Sequence, residues 1–228
     1  MKTVKIASGN TKLGKVFNLS LPPQHACASK VPCAAKCYAR KAWRQYSETR
    51  AAWTNNWEAW QEDNLLYMEQ IAQFCATKQV ERFRWHVAGD IPSAAYLTGM
   101  NLVAKCNPAT KFLAFTKRFD LVEQHLATGG DIGDNLQLVF SMWPGLLEFL
   151  RTLPGTSHYA SNDDLFQRIQ SVLPLAWMSP TKASEDLWYN ETVANVSRTE
   201  GLECHGHCDE CFMCWYMEPG SGVVLHEH

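Results

Sequence analysis

Seven of the nine cysteines in this 228-residue chain fall into two tight groups, and no other feature constrains it as strongly. Cys27, Cys33 and Cys37 lie within eleven positions, and Cys204, Cys208, Cys211 and Cys214 fill another eleven. Cys75 and Cys106 stand alone. An odd total in two clusters argues against a disulfide framework and for thiols that bind metal. The N-terminus, Met1-Lys2-Thr3-Val4-Lys5-Ile6, lacks the apolar run of a secretory signal. A cytoplasmic protein is therefore expected. No stretch approaches the ~20 apolar residues of a membrane-spanning helix, so no membrane partner is expected.

With 46% hydrophobic and 19% charged residues, the chain can bury a sizeable core. Val16–Ser20 reads as a short strand, and Leu21-Pro22-Pro23 stops it before the first cysteine group. Helical pattern begins near Ala35, and a helix or helix pair spans about Ser47 to Cys75. Its stripe of Trp53, Trp57, Trp60, Met68, Ile71 and Cys75 reads as core. Strand-like runs at Phe83–Val87, Lys111–Thr116, Leu136–Ser141 and Pro174–Pro180 alternate with helical stretches at Ser93–Lys105 and Leu121–Ala127. That alternation implies crossover units and a mainly parallel sheet. From Pro144 to Ser171 the pattern reads as a loop or insertion. Each strand ends in a polar or glycine step: Gly89-Asp90, Thr116-Lys117-Arg118, Ser141, Ser179. In parallel α/β folds such ends gather on one face and build the site.

Three thiols cannot complete a tetrahedral zinc site without a fourth ligand, for which His25 is the neighbouring candidate. They can instead hold three irons of a [4Fe–4S] cluster, leaving the fourth open to a substrate or cofactor. Three unrelated buried cysteines remain the bland alternative. Charge is segregated: residues 1–50 carry ten Lys/Arg and one acid, Glu48, a net of about +9, against a chain total of −2. Lys30, Lys36, Arg40, Lys41 and Arg44 surround the thiols and would offset a cluster's negative charge. The same basic segment could meet nucleic acid or be a solvated surface.

Asn10-Thr11-Lys12-Leu13-Gly14, Cys33-Ala34-Ala35-Lys36-Cys37-Tyr38-Ala39 and His86-Val87-Ala88-Gly89-Asp90 together resemble the phage proteins called gene product eighty-eight. For a phage-encoded protein the expected location is the host cytoplasm. A wider resemblance is to the radical S-adenosylmethionine (SAM) enzymes. It implies a partial, incomplete β/α barrel over residues 1–199, with the C-terminal cysteine-rich, metal-binding segment 200–228 packed on it. It also implies a catalytic cluster on Cys27, Cys33 and Cys37, SAM as cosubstrate, and an electron donor protein. Gly89 and Asp90 stand where a Gly-Gly-Glu-Pro step contacts the SAM amino group. Thr116 and Ser141, at later strand ends, and Tyr38, beside the last cysteine, fall where the cosubstrate's remaining contacts lie. The loop intervals here are five and three residues, where that family has three and two, and Asp90 stands in place of glutamate.

Cys204, Cys208, Cys211 and Cys214 read as an auxiliary site, because they follow the strands and lead into no barrel. Their short, even spacing favours a second [4Fe–4S] cluster, with zinc as the alternative, in which His205 or His207 could take part. His86, on a strand with Arg84, is a catalytic candidate if it faces the site. Otherwise it is a hydrogen-bonded core residue. The first function expected is thus an enzyme that reductively cleaves SAM. A zinc-binding, nucleic-acid-interacting protein and an iron–sulfur electron carrier are the alternatives.

Overall fold

The structure, a computed structural model, describes residues 1–10, 13–178, 201–204 and 206–225. β1 (Phe17–Asn18) leads into α1 (Pro23–Ala26), a 3-10 turn (Pro32–Lys36) and α2 (Tyr38–Gln45). Next come α3 (Ser47–Glu62), α4 (Asn64–Lys78), β2 (Arg82–Trp85), α5 (Ala94–Cys106), β3 (Lys111–Thr116), α6 (Phe119–Ala127) and β4 (Leu136–Ser141). α7 (Leu146–Leu150), α8 (Asn162–Val172) and β5 (Leu175–Met178) precede β6 (Gly201–Glu203), α9 (Cys208–Cys211), a 3-10 turn (Met213–Trp215) and β7 (Gly222–Leu225).

Local chemistry sets the helix boundaries. Asp63 breaks the long amphipathic run: its extended backbone ends α3, and its carboxylate accepts the Leu66 amide at 2.9 Å to cap α4. Ser93 caps α5 in the same way through the Tyr96 amide. The segment 144–171, expected as a loop, holds two helices. Its overlooked signal is Ser161-Asn162-Asp163-Asp164, a capping box with both reciprocal bonds formed, at 3.0 and 3.1 Å.

The described strands form one sheet in the order β1-β2-β3-β4-β5-β7-β6, and every pairing is parallel. Up to β5 each new strand joins the same edge. The sheet stays open, with β1 and β6 as its edges. Sequential winding with crossovers of one hand puts the helices on one face, and the core follows suit. Phe83, Trp85, Phe112, Ala114, Leu138, Phe140 and Leu175 pack with buried residues of α3 through α8. The opposite face presents Leu113, Val139, Ala176 and Val223, with Phe115 at the margin. Leu13, Val16, Trp215 and Met217 cover that face. The cysteine-rich stretch between β6 and β7 is therefore the lid of the sheet's second side.

Trp60, Met68, Ile71 and Cys75 are buried as the stripe predicts, but Trp53 and Trp57 are only half-buried. Trp53 stacks on Trp43 of α2 at 6.2 Å, and Trp57 on His25 at 6.0 Å, so these two rings anchor the thiol loop's flanking helices. The final part of the expected fourth strand, Ser179 and Pro180, lies outside the described residues.

Phe112 is fully buried against Phe83 and Trp85. Phe112→Ala is expected to cost about 3–5 kcal/mol, read as a fall in the urea midpoint with the transition's slope unchanged.

Candidate functional site

The first cysteine group sits where the strand ends converge, because the chain from Leu19 to Leu21 runs on beside the loop after β2. Leu19 donates its amide to the Arg84 carbonyl at 3.1 Å, and Leu21 to the Ala88 carbonyl at 2.9 Å. The two prolines then turn the chain through α1. Cys27 ends that helix, Cys33 lies in the 3-10 turn, and Cys37 precedes α2. Gly89 makes the approach of the two loops feasible: its φ is +87°, and a Cβ there would lie 2.8 Å from the Leu21 carbonyl oxygen.

Asp90 is buried and held from three sides. One carboxylate oxygen accepts the Thr116 hydroxyl at 2.6 Å and the Ile91 amide at 2.7 Å; the other accepts the Lys117 amide at 2.9 Å. Burial nevertheless pushes the Asp90 carboxyl above its ordinary range, against the pull of the Lys117 charge and of these bonds. Lys117 donates through Nζ to the Ser141 hydroxyl at 3.1 Å. Beside it, Arg118 grips Asp120 with two bonds of 2.8 and 2.9 Å, which makes it a structural cation.

Cys27, Cys33 and Cys37 are half-buried. Burial raises the Cys27 thiol, and Asp90, Cys33 and Cys37 push it further while Lys117 opposes them. Burial likewise raises Cys33, with Lys117 again lowering it and Cys37 and Asp90 raising it. The three thiols, Asp90 and Lys117 thus share one electrostatic environment. Thr116 and Ser141 join it through the hydrogen bonds to Asp90 and Lys117. Tyr38 exposes 71% of its surface while its hydroxyl donates to the Val87 carbonyl.

His86 does not face this group. The strand ends at Trp85, and His86 takes φ +52°, which swings its ring into the helix-side core beside Trp85 and Tyr96. Its Nε2 lies 3.1 Å from the Tyr96 hydroxyl, which lies 3.0 Å from the Tyr67 hydroxyl. This is the hydrogen-bonded core role. The strand's alternation fails at a left-handed residue, and Val87 turns to the other face.

On that other face, Cys204, Cys208 and Cys214 pack against the lid core. Burial pushes Cys214 up to about 12, and the neighbouring Cys204, Cys208 and Cys211 add to that effect while Arg84 opposes it. Two arginines from β2 underlie the stretch. Arg82 lies 3.6 Å from the Phe212 ring centre and Arg84 4.2 Å from that of Phe115. Arg84 Nε is buried without a hydrogen-bond partner. Burial lowers the Arg84 guanidinium's pKa, and the groups opposing that are Tyr38, Cys208, Cys214 and Cys204. Arg84 therefore lies under the second cysteine group, with Tyr38 also in reach of its charge. Sequence patterning marks it only as a strand residue. His205, His226 and His228 lie outside the described residues. No disulfide joins the nine cysteines. Among the described residues, no three His, Cys, Asp or Glu donors converge as a single-ion site requires.

An open parallel α/β sheet with one thiol group at its strand ends and a second lidding its free face defines the class. Residues 2–216 match the family model described as gene product 88, and the chain belongs to that family. It is 28% identical over 189 residues to the gene 88 protein of Mycobacterium phage L5, covering 75% of this chain and 76% of that protein. No solved structure matches the chain. Neither match extends to the radical SAM enzymes; that likeness rests on the residues alone.

Gly89→Ala meets both a forbidden φ and a backbone clash. It is expected to cost at least the ~1–3 kcal/mol of a strained residue, seen as a lowered thermal midpoint. Burial draws His86 from 6.5 down to about 3. The unfolded chain therefore takes up this proton first, and His86's contribution, intact above pH 6.5, drains away as pH falls towards 3. His86→Asn, which tolerates positive φ, should flatten that acid limb in urea titrations at pH 7 and pH 4.

Proposed function

We propose that this chain is an iron–sulfur enzyme of radical SAM type, which reductively cleaves S-adenosylmethionine to start radical chemistry on a substrate. The observation that carries the reading is the meeting of Cys27, Cys33 and Cys37 with Asp90 and Lys117 at the carboxyl ends of an open parallel sheet. A cubane spreads its ligands over separate irons, so its thiols stand farther apart than the donors of one ion. Three half-buried thiols in one loop, with a lysine among them, fit that donor set. When bound, such a cluster with one open iron supplies an electron to the sulfonium of SAM. A reducing partner protein would deliver that electron.

The chain's own residues bind and orient. A carboxylate has about four acceptor positions. Three of Asp90's are taken by Thr116, Ile91 and Lys117, which leaves one for the cosubstrate's ammonium group. That cation would also restore the ionised carboxylate that burial resists. Lys117 spends one donor on Ser141 and keeps the rest for the cosubstrate's carboxylate. Gly89 keeps the Asp90 loop against Leu21. The exposed Tyr38 ring offers a face for adenine.

Cys204, Cys208, Cys211 and Cys214 would hold a second cluster. Arg84 supplies the counter-charge, since a buried guanidinium needs an anion and the thiols are the nearest acidic groups besides Tyr38. A host-cytoplasmic location, where thiols stay reduced, agrees with this. Among the described residues no helix is long and apolar enough to cross a membrane.

Chain prepared without oxygen is expected to carry about four irons, and as many acid-labile sulfides, for each intact cysteine group. It should release 5′-deoxyadenosine from SAM under reduction. Cys33→Ala should lose the first cluster and all turnover. Lys117→Ala should keep the iron and lose at least tenfold in turnover. Sulfide-free protein, or a loaded chain that leaves SAM intact, contradicts the reading; the latter result would make it an electron carrier.

A further inference from the structure

The stretch that covers the sheet's second face carries charge chemistry as well as cover. All four of its cysteines, Cys204, Cys208, Cys211 and Cys214, line one pocket with Phe212 and Trp215. β2 lies beneath it. Strand register sets Arg84 beside Leu113, a residue of the lid face, and the Arg84 guanidinium lies 4.2 Å from the ring centre of Phe115. Phe115 packs in the same cluster as Cys204, Cys208 and Cys214. Arg84 Nε is buried without a hydrogen-bond partner, and Arg84 makes no ion pair among the described residues. Arg82, on the same face of the strand, stands 3.6 Å from the Phe212 ring centre but pairs with Glu81. A guanidinium keeps its charge, so one buried without a carboxylate calls for an anion beside it.

Two occupants of the thiols would supply that anion. Zinc on four thiolates has no redox chemistry, so its charge never changes. A [4Fe–4S] cluster gains one negative charge with each electron, and its potential follows net charge and solvent exposure. The acids near the pocket are at the surface: Glu210 is exposed, and Asp209 accepts the Lys15 amide at 3.4 Å in an exposed bond. Water and salt screen such groups, whereas a buried cation acts through a medium of low dielectric. Arg84 is therefore the charge that most separates an oxidised from a reduced cluster. The pocket also has a way in. Cys211 is exposed while the other three thiols are half-buried, so an electron can arrive there from a protein docked outside.

We infer that the lid's cysteine group is a redox site that takes up and returns one electron, and that Arg84 sets its potential by stabilising the reduced cluster. No bond forms or breaks in this step: a reducing protein loses one electron and the cluster gains it. The inference rests on the cluster proposed for this group and not on SAM cleavage at the other.

The test uses the full chain with Cys27→Ala and Cys33→Ala, so that the second group alone is loaded, prepared and reconstituted without oxygen. Iron and acid-labile sulfide are counted, and the cluster is titrated with dithionite and redox dyes under electron paramagnetic resonance. One reducible cluster of about four irons is expected. Adding Arg84→Gln should keep the iron and lower the reduction equilibrium at least tenfold, ~59 mV for one electron. Arg84→Lys, which keeps the charge, should recover most of that loss. Arg82→Gln, which removes a cation already paired with Glu81, should shift the midpoint less. If Arg84→Gln takes up no iron, Arg84→Met removes the same charge and keeps the apolar stem. A midpoint that the neutral variants leave in place overturns the inference. So does an equal shift from Arg82→Gln, a cluster that dithionite cannot reduce, or zinc without sulfide at this group. In each of these cases an unsubstituted chain that still cleaves SAM leaves the enzyme reading intact. A second group that titrates as expected, beside a first group that never loads, does the reverse.

Discussion

A parallel sheet needs cover on both faces, and that need organises this molecule. Strands β1 to β5 follow one another along the sheet, so their helices share one side and build the larger core. The other side would be bare. Leu113, Val139, Ala176 and Val223 are shielded there by the stretch that carries the second cysteine group, together with Leu13 and Val16 from the N-terminal turn. Even the turn's glycine serves this fit, since a Cβ on Gly14 would fall within the Asp209 side chain. A short stretch with little regular structure closes this hydrophobic face through Phe212, Met213, Trp215 and Met217, and metal-bound thiolates would add rigidity to it.

Much of this was legible beforehand. β3 and β4 agree with their sequence patterns residue for residue, because alternating and apolar runs bounded by polar steps admit few other readings. The convergence of Cys27, Asp90, Thr116 and Ser141 follows from parallel topology alone, since strand carboxyl ends must share an edge. What escaped was set by single residues. His86 leaves its strand through a left-handed backbone, which no period-two pattern can show. The helix after Ser161 is announced by a capping box ahead of a short apolar stripe, Leu165, Phe166 and Ile169. The second face was hidden because its cover comes from residues far apart in sequence.

Arg84 is the cation on which the second cysteine group rests. It rises from β2 between Phe115 and the thiols of the lid, and Tyr38, directly after Cys37, is among the groups that stabilise its charge. Buried cations of this kind are costly unless an anion compensates them. The presence of Arg84 beside the lid thiols is what neutral protonated cysteines would leave unbalanced and a thiolate-bound cluster would satisfy. Lys117 differs, because it faces the Asp90 carboxylate as well as the first thiol group.

The central claim is that Cys27, Cys33 and Cys37 hold one cubane with an exchangeable iron. Electron paramagnetic resonance of the dithionite-reduced chain, prepared without oxygen and lacking the second group through Cys208→Ala and Cys211→Ala, isolates that cluster. The account predicts a reduced [4Fe–4S] signal whose g-values shift when S-adenosylmethionine is added. A silent spectrum, or a cluster signal indifferent to the cosubstrate, would contradict it.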